Sequence, residues 1–134
     1  MDVLLKEKLE ELSAKDIMIV NPMTIKPDDK VAFAYLKTLR MGIGGLPVVD
    51  ENKKVVGMVT QRDILLLGGV QIFYLTVEDV MTTPAITVDI NASLKEIADL
   101  MVEKNIERIP VVEGGKIAGL VTQREIMKVL SQSL

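Results

Sequence analysis

Two four-residue stretches, Thr60-Gln61-Arg62-Asp63 and Thr122-Gln123-Arg124-Glu125, place a hydroxyl, a cation and an acid within one helical turn. Each follows an apolar, strand-like run and opens a helical pattern. At such a corner the first backbone N–H groups have no partner inside the helix, and the positive end of its dipole lies there. Together these favour an anion. The threonine hydroxyl can donate to a phosphate oxygen. Asp63, one turn in, can accept from both hydroxyls of a ribose diol. Charge-assisted hydrogen bonds of that kind contribute roughly 1.5–3 kcal/mol each. The same spacing also spells a capping box, in which the acid reaches back to the backbone N–H of the cap residue. Both readings apply to Asp63. Glu125 is the preferred acid of a box, and its extra methylene would crowd a ribose fitted to aspartate. Arg62 and Arg124 stand at second helical positions, which usually face water.

The corners recur because the chain is an internal repeat. Asp16-Ile17-Met18 returns as Asp79-Val80-Met81, 63 residues on, as do Thr24 at Thr87 and Leu46-Pro47-Val48-Val49 at Ile109-Pro110-Val111-Val112. Gly57 to Ile64 returns as Gly119 to Ile126, now 62 residues on. The missing residue falls in a polar turn, where length changes are tolerated. Each repeat reads as a short strand, a helix, a hairpin and a helix. In the second, Ala85 to Val88 is β-prone, and Asn91 or Ser93 can cap the helix that follows. Leu94, Ile97, Ala98 and Met101 form its buried stripe. Arg108 to Val112 and Lys116 to Val121 are strands joined at Gly114-Gly115. A last helix runs from Thr122 to about Leu130.

The first repeat departs from this pattern. Its helix is apolar at Ala32, Phe33 and Leu36, where the second has Lys95, Glu96 and Asp99. One stripe suffices for an amphipathic helix. A second apolar face implies cover by another subunit, or by Val70 to Leu75 of the same chain. Residues 1–14 form a leader helix with Leu4, Leu5, Leu9 and Leu12 at helical spacing.

Composition narrows the function. The chain has 134 residues, 49% of them hydrophobic, enough for a real core in one domain. It has no Cys and no His, which removes disulfides, thiolate nucleophiles, Ser-His triads and nearly all zinc sites. Carboxylate pairs such as Asp28-Asp29 and Glu10-Glu11 read as helix-start or solvated charge, so catalysis is not expected. A net charge of −3 with no basic run argues against nucleic acid. No stretch reaches the ~18–20 apolar residues of a membrane span. The N-terminus lacks a signal-peptide layout, and a cytoplasmic location is expected.

The duplicated Asp-apolar-Met start, apolar-Pro-Val-Val strand and Gly-apolar-Val-Thr-x-x-acid corner resemble the CBS (cystathionine-β-synthase) motif family. The resemblance runs from about residue 15 to the end, with motif one over 15–72, a linker at 73–77 and motif two over 78–134. It implies an α/β fold of two β-α-β-β-α motifs packed sheet to sheet about a pseudo-twofold axis, with two clefts between them. It also implies an adenine-nucleotide ligand (AMP first, ADP or ATP as alternatives), no metal, and a sensor acting on a partner in trans. Site roles carry over to Thr60 and Asp63, with Thr122 and Glu125 as the second pair. Arg108 would contact phosphate, and its counterpart is Gly45, so the clefts should differ. Backbone at Gly45, Leu46 and Pro47 would meet the base, although Gly42, Gly44 and Gly45 equally suit a plain turn. Met18, Thr24, Ile25, Met81, Thr87 and Val88 would line the clefts. A homodimer through Phe33 and Leu36 is expected. The alternatives are a ligand-free interaction module and an S-adenosylmethionine-type ligand.

Overall fold

The computed structural model describes residues 2–134, so position 1 of the expected leader lies outside them. In order the elements are α1 (Val3–Glu10), α2 (Ala14–Ile17), β1 (Ile19–Val20), α3 (Val31–Met41), β2 (Gly45–Val49), β3 (Val55–Thr60) and α4 (Gln61–Leu65). A 3-10 helix over Gly69–Phe73 follows. Then come α5 (Val77–Val80), β4 (Val88–Asp89), α6 (Leu94–Lys104), β5 (Arg108–Glu113), β6 (Lys116–Thr122) and α7 (Gln123–Ser133). The mixed α/β character and the two β-α-β-β-α repeats are as the sequence indicates.

The chain packs as two units: one holds the residues up to Pro22 together with Ile86–Leu134, the other holds Met23–Ala85. Packing and repetition therefore divide the chain differently. The segment that opens each repeat lies in the unit built on the other repeat's hairpin.

In the first unit four strands run in the order β1-β6-β5-β4. The β5–β6 hairpin turns at Gly114 and Gly115, with φ of 58° and 81°, a region glycine enters without steric cost. β4 lies parallel to β5 through Val88↔Val111, and β1 closes the other edge through Ile19↔Leu120. The β-prone run at 85–88 delivers only Val88 to the sheet. Ser93 rather than Asn91 caps α6, its Oγ accepting from the N–H of Glu96 at 3.0 Å. The stripe of α6 buries Leu94, Ile97 and Met101, as its period predicts. With Ile109, Val111, Val121, Val88 and Ala14 they form the core of this unit.

The second unit repeats the plan with less regular pairing. β2 and β3 form the hairpin, an Ile25↔Val48 parallel bridge stands where β4 would, and a Met58↔Thr82 antiparallel bridge stands where β1 would. Its core gathers Ile25, Val31, Ala34, Leu46, Val48, Val59, Ile64 and Val77. No side chain caps the start of α3; instead the Leu75 carbonyl accepts from the N–H of Val31 at 3.0 Å. Gly42, in the left-handed conformation, ends α3, and Asn105 does the same for α6.

Candidate functional site

Thr60 closes β3 and caps α4, and the corner is a formed capping box. The N–H of Thr60 donates to Asp63 Oδ2 at 3.2 Å, and the N–H of Asp63 donates to Thr60 Oγ1 at 3.2 Å. The Gly44 carbonyl accepts from the N–H of Gln61 at 2.8 Å. The expected row of free amides is thus corrected: three of these N–H groups already have partners. The cause is the spacing itself, since an acid three residues past a threonine reaches the cap amide. α4 has only five residues, so its dipole adds little. What the corner offers a ligand is side-chain chemistry. Asp63 Oδ1 and the hydroxyl hydrogen of Thr60 have no partner among the described residues, and both side chains are half-buried.

The second corner spends the same groups differently. The hydroxyl of Thr122 donates to Glu125 Oε1, and the N–H of Thr122 donates to that oxygen at 3.2 Å. Glu125 is 8% exposed. The longer acid that favours the box has folded into it and become buried. Arg108 begins β5 in register with Thr122, is half-buried and lies 3.6 Å from the carboxylate of Glu107. Arg62 and Arg124 are exposed, as expected of second helical positions.

The remaining candidates divide between the units. Thr24 precedes Ile25, whose N–H donates to the Pro47 carbonyl at 3.1 Å, and Gly45 is in register with Thr60. Thr24, Gly45, Leu46, Pro47, Thr60 and Asp63 therefore share one unit, whereas Met18, Thr87, Arg108, Thr122 and Glu125 belong to the other. The side chain of Leu46 is wholly buried in the core, so only its backbone remains to meet a ligand. Met18 rests on Gly119: a Cβ placed there would collide with its sulfur. Met81 rests on Gly57 in the same way, at 2.7 Å.

Sequence reasoning missed two further boxes. Ser13 with Asp16 and Thr76 with Asp79 cap α2 and α5. The backbone N–H of Ser13, and then its hydroxyl, hold the Asp16 carboxyl below the usual aspartate range, and Thr76 does the same for Asp79. The Ser/Thr-x-x-Asp spacing was there to find. Also missed was Lys37, whose ammonium donates to the Thr24 carbonyl at 3.0 Å and lies 4.8 Å from the Phe33 ring centroid. A cavity of about 220 Å³ in the second unit is lined by Tyr35, Ile64, Leu65, Gly68, Gly69 and Ile72, none of them a candidate. Among the described residues no cluster of acids could hold a metal ion, and no helix is long and apolar enough to cross a membrane.

Residues 14–68 and 77–132 each match the CBS domain family. Among curated proteins the chain is similar to the inosine-5'-monophosphate dehydrogenase of Nitrosopumilus maritimus, 37% identical over 121 residues, covering 90% of this chain and 25% of that protein. The Aquifex aeolicus enzyme is 33% identical over 129 residues, with 91% and 25% covered. The chain thus spans about a quarter of the length of these relatives. Among solved structures it resembles CBSX2 in complex with AMP (29% identity, TM-score 0.81, 90% and 96% of the two chains). It also resembles the CBS domain pair of MJ0100 in complex with 5'-methylthioadenosine and S-adenosyl-L-methionine (28%, 0.83, 92% and 98%).

Proposed function

The chain belongs to the CBS-domain family as a tandem pair, and from that premise we propose that it is a regulatory module that binds an adenosine-type ligand and acts on a partner protein in trans. AMP is the first choice, with ADP and ATP as variants. Support comes from the ligands of CBSX2 and MJ0100, which share an adenine and a ribose diol and not a phosphate. The observation that carries the reading in this chain is the Asp63 carboxylate. A carboxylate has about four acceptor positions, and the cap uses one oxygen. The other oxygen, beside the uncommitted hydroxyl of Thr60, suits a diol. The role is binding rather than catalysis.

Thermal unfolding with AMP, ADP, ATP, 5'-methylthioadenosine and S-adenosylmethionine tests this. Ligand at ten times its Kd adds about 1.4 kcal/mol, a rise of several degrees for a domain of this size. Asp63→Ala should remove most of the ligand-induced rise, while Asp63→Asn, which can still accept the cap bond, separates capping from binding. Arg108→Ala should lower the response to AMP and spare that to methylthioadenosine if phosphate is read there. A flat response to the whole panel at millimolar concentration rejects the proposal.

Two observations favour a second reading, a ligand-free interaction module. The box at Asp63 is complete without a ligand, and α3 exposes Phe33 at 46% and Leu36 at 50%. The 3-10 helix and the residues after it pack Ile72 and Leu75 into the core and leave Phe33 and Leu36 open. On either reading we assign these two residues to a homodimer interface.

A further inference from the structure

Thr38 is the one fully buried polar side chain among the described residues, and it sits on α3 facing an apolar core. The equivalent position of the second repeat holds Met101, a core residue of α6. A buried hydroxyl is costly unless hydrogen-bonded, and Thr38 makes two bonds. Its hydroxyl donates to the Tyr35 carbonyl at 2.7 Å and accepts from Gln61 Nε2 at 3.2 Å. Gln61 is the first residue of α4, between Thr60 and Asp63 in sequence and two residues before the acid. In both units a backbone bond ties the corner to the segment before the hairpin, Gln61 to Gly44 and Gln123 to Glu107. Only in Met23–Ala85 does a side-chain bond also tie the corner to the long helix. Met101 cannot offer that acceptor to Gln123, whose side chain is exposed.

We infer that the Thr38–Gln61 hydrogen bond couples the Asp63 corner to α3, so that a ligand held at that corner tightens α3 more than α6. The inference rests on the ligand-binding reading and adds its direction of output. α3 also carries Phe33 and Leu36, so ligand state reaches an exposed apolar face. Thr38 and Gln61 are positioning residues here and touch no ligand. Coupling between a ligand and a helix is reciprocal, and typical values correspond to about 5-fold or more in an equilibrium constant.

Hydrogen–deuterium exchange on the intact protein, with AMP and with 5'-methylthioadenosine as probes, tests the coupling. In the wild type, a probe that raises the melting temperature should slow exchange across Val31–Met41 about 5-fold or more beyond any slowing across Leu94–Lys104. Thr38→Val should abolish this excess while the melting response persists, and Thr38→Ser should restore it. If Thr38→Val does not unfold cooperatively, Gln61→Met removes the same bond from the other side and should give the same loss. An excess that is absent in the wild type despite a melting response, or that survives Thr38→Val or Gln61→Met, overturns the coupling and leaves the ligand reading intact. Absence of any melting response overturns both.

Discussion

At the scale of the residue, Gly119 and its repeat Gly57 decide how closely a methionine packs. Any side chain at Gly119 would meet the sulfur of Met18 and, at 2.8 Å, the carbonyl oxygen of Ile19. The sulfur can swing aside; the backbone oxygen cannot without lifting β1. Gly119→Ala should therefore cost about 1–3 kcal/mol, the usual range for overpacking. Gly69→Ala, with open space around it, should stay within about 0.5 kcal/mol. Urea denaturation of both variants checks the contrast; equal midpoints would contradict it. The sequence marked Gly119 as the repeat of Gly57 and did not reveal its use, because its contact with Met18 joins residues about a hundred positions apart. Thr60 and Asp63 were legible as a pair for the opposite reason: their relation is local. That same locality left a cap and a ligand role indistinguishable in the sequence, since both call on the same two side chains.

At the scale of the element, short helices depend on their caps. α2 and α5 have four residues each and are closed by Asp16 and Asp79. Both carboxyls titrate below their ordinary value when folded. A depressed folded value means the contribution is present above the unfolded value, near 4, and is lost as pH falls through the folded one. Melting temperature should therefore decline below about pH 4, and Asp16→Asn with Asp79→Asn should decline less steeply over that window. An unchanged slope would assign the acid loss to other groups. The two hairpins and the stripe of α6 were readable from period and turn residues. The bridges at Ile25 and Thr82 were not, because two-residue pairings carry no periodic signal and are set by what packs against them.

At the scale of the molecule, the repeats have parted company. The Met23–Ala85 unit exposes Phe33, Leu36, Leu39, Leu65, Leu66 and Phe73, whereas α6 turns Lys95, Glu96 and Asp99 outward at the positions of Ala32, Phe33 and Leu36. Phe33 and Leu36, three apart on α3, put two of these exposed apolar side chains on one helix face. Sedimentation should show a homodimer that Phe33→Glu with Leu36→Glu converts to a monomer of unchanged circular dichroism. A wild type that sediments as a monomer at every concentration, or a double variant that still dimerises, would contradict it. The sequence showed this difference directly, since charge and apolarity at matched positions need no structure to compare.

The unequal division of the chain also sets an order of assembly. Residues 23–85 are contiguous and can close as soon as they leave the ribosome, with Val77 already present to complete their core. The segment before them pairs at residues 12–15 with residues 90–94, and its strand β1 has no strand partner until β6 is made. Such distant pairing must wait out a long loop closure. Until β6 is made, Ile19 and Val20 have no strand partner, and a chain stalled before residue 116 would leave their backbone groups unpaired.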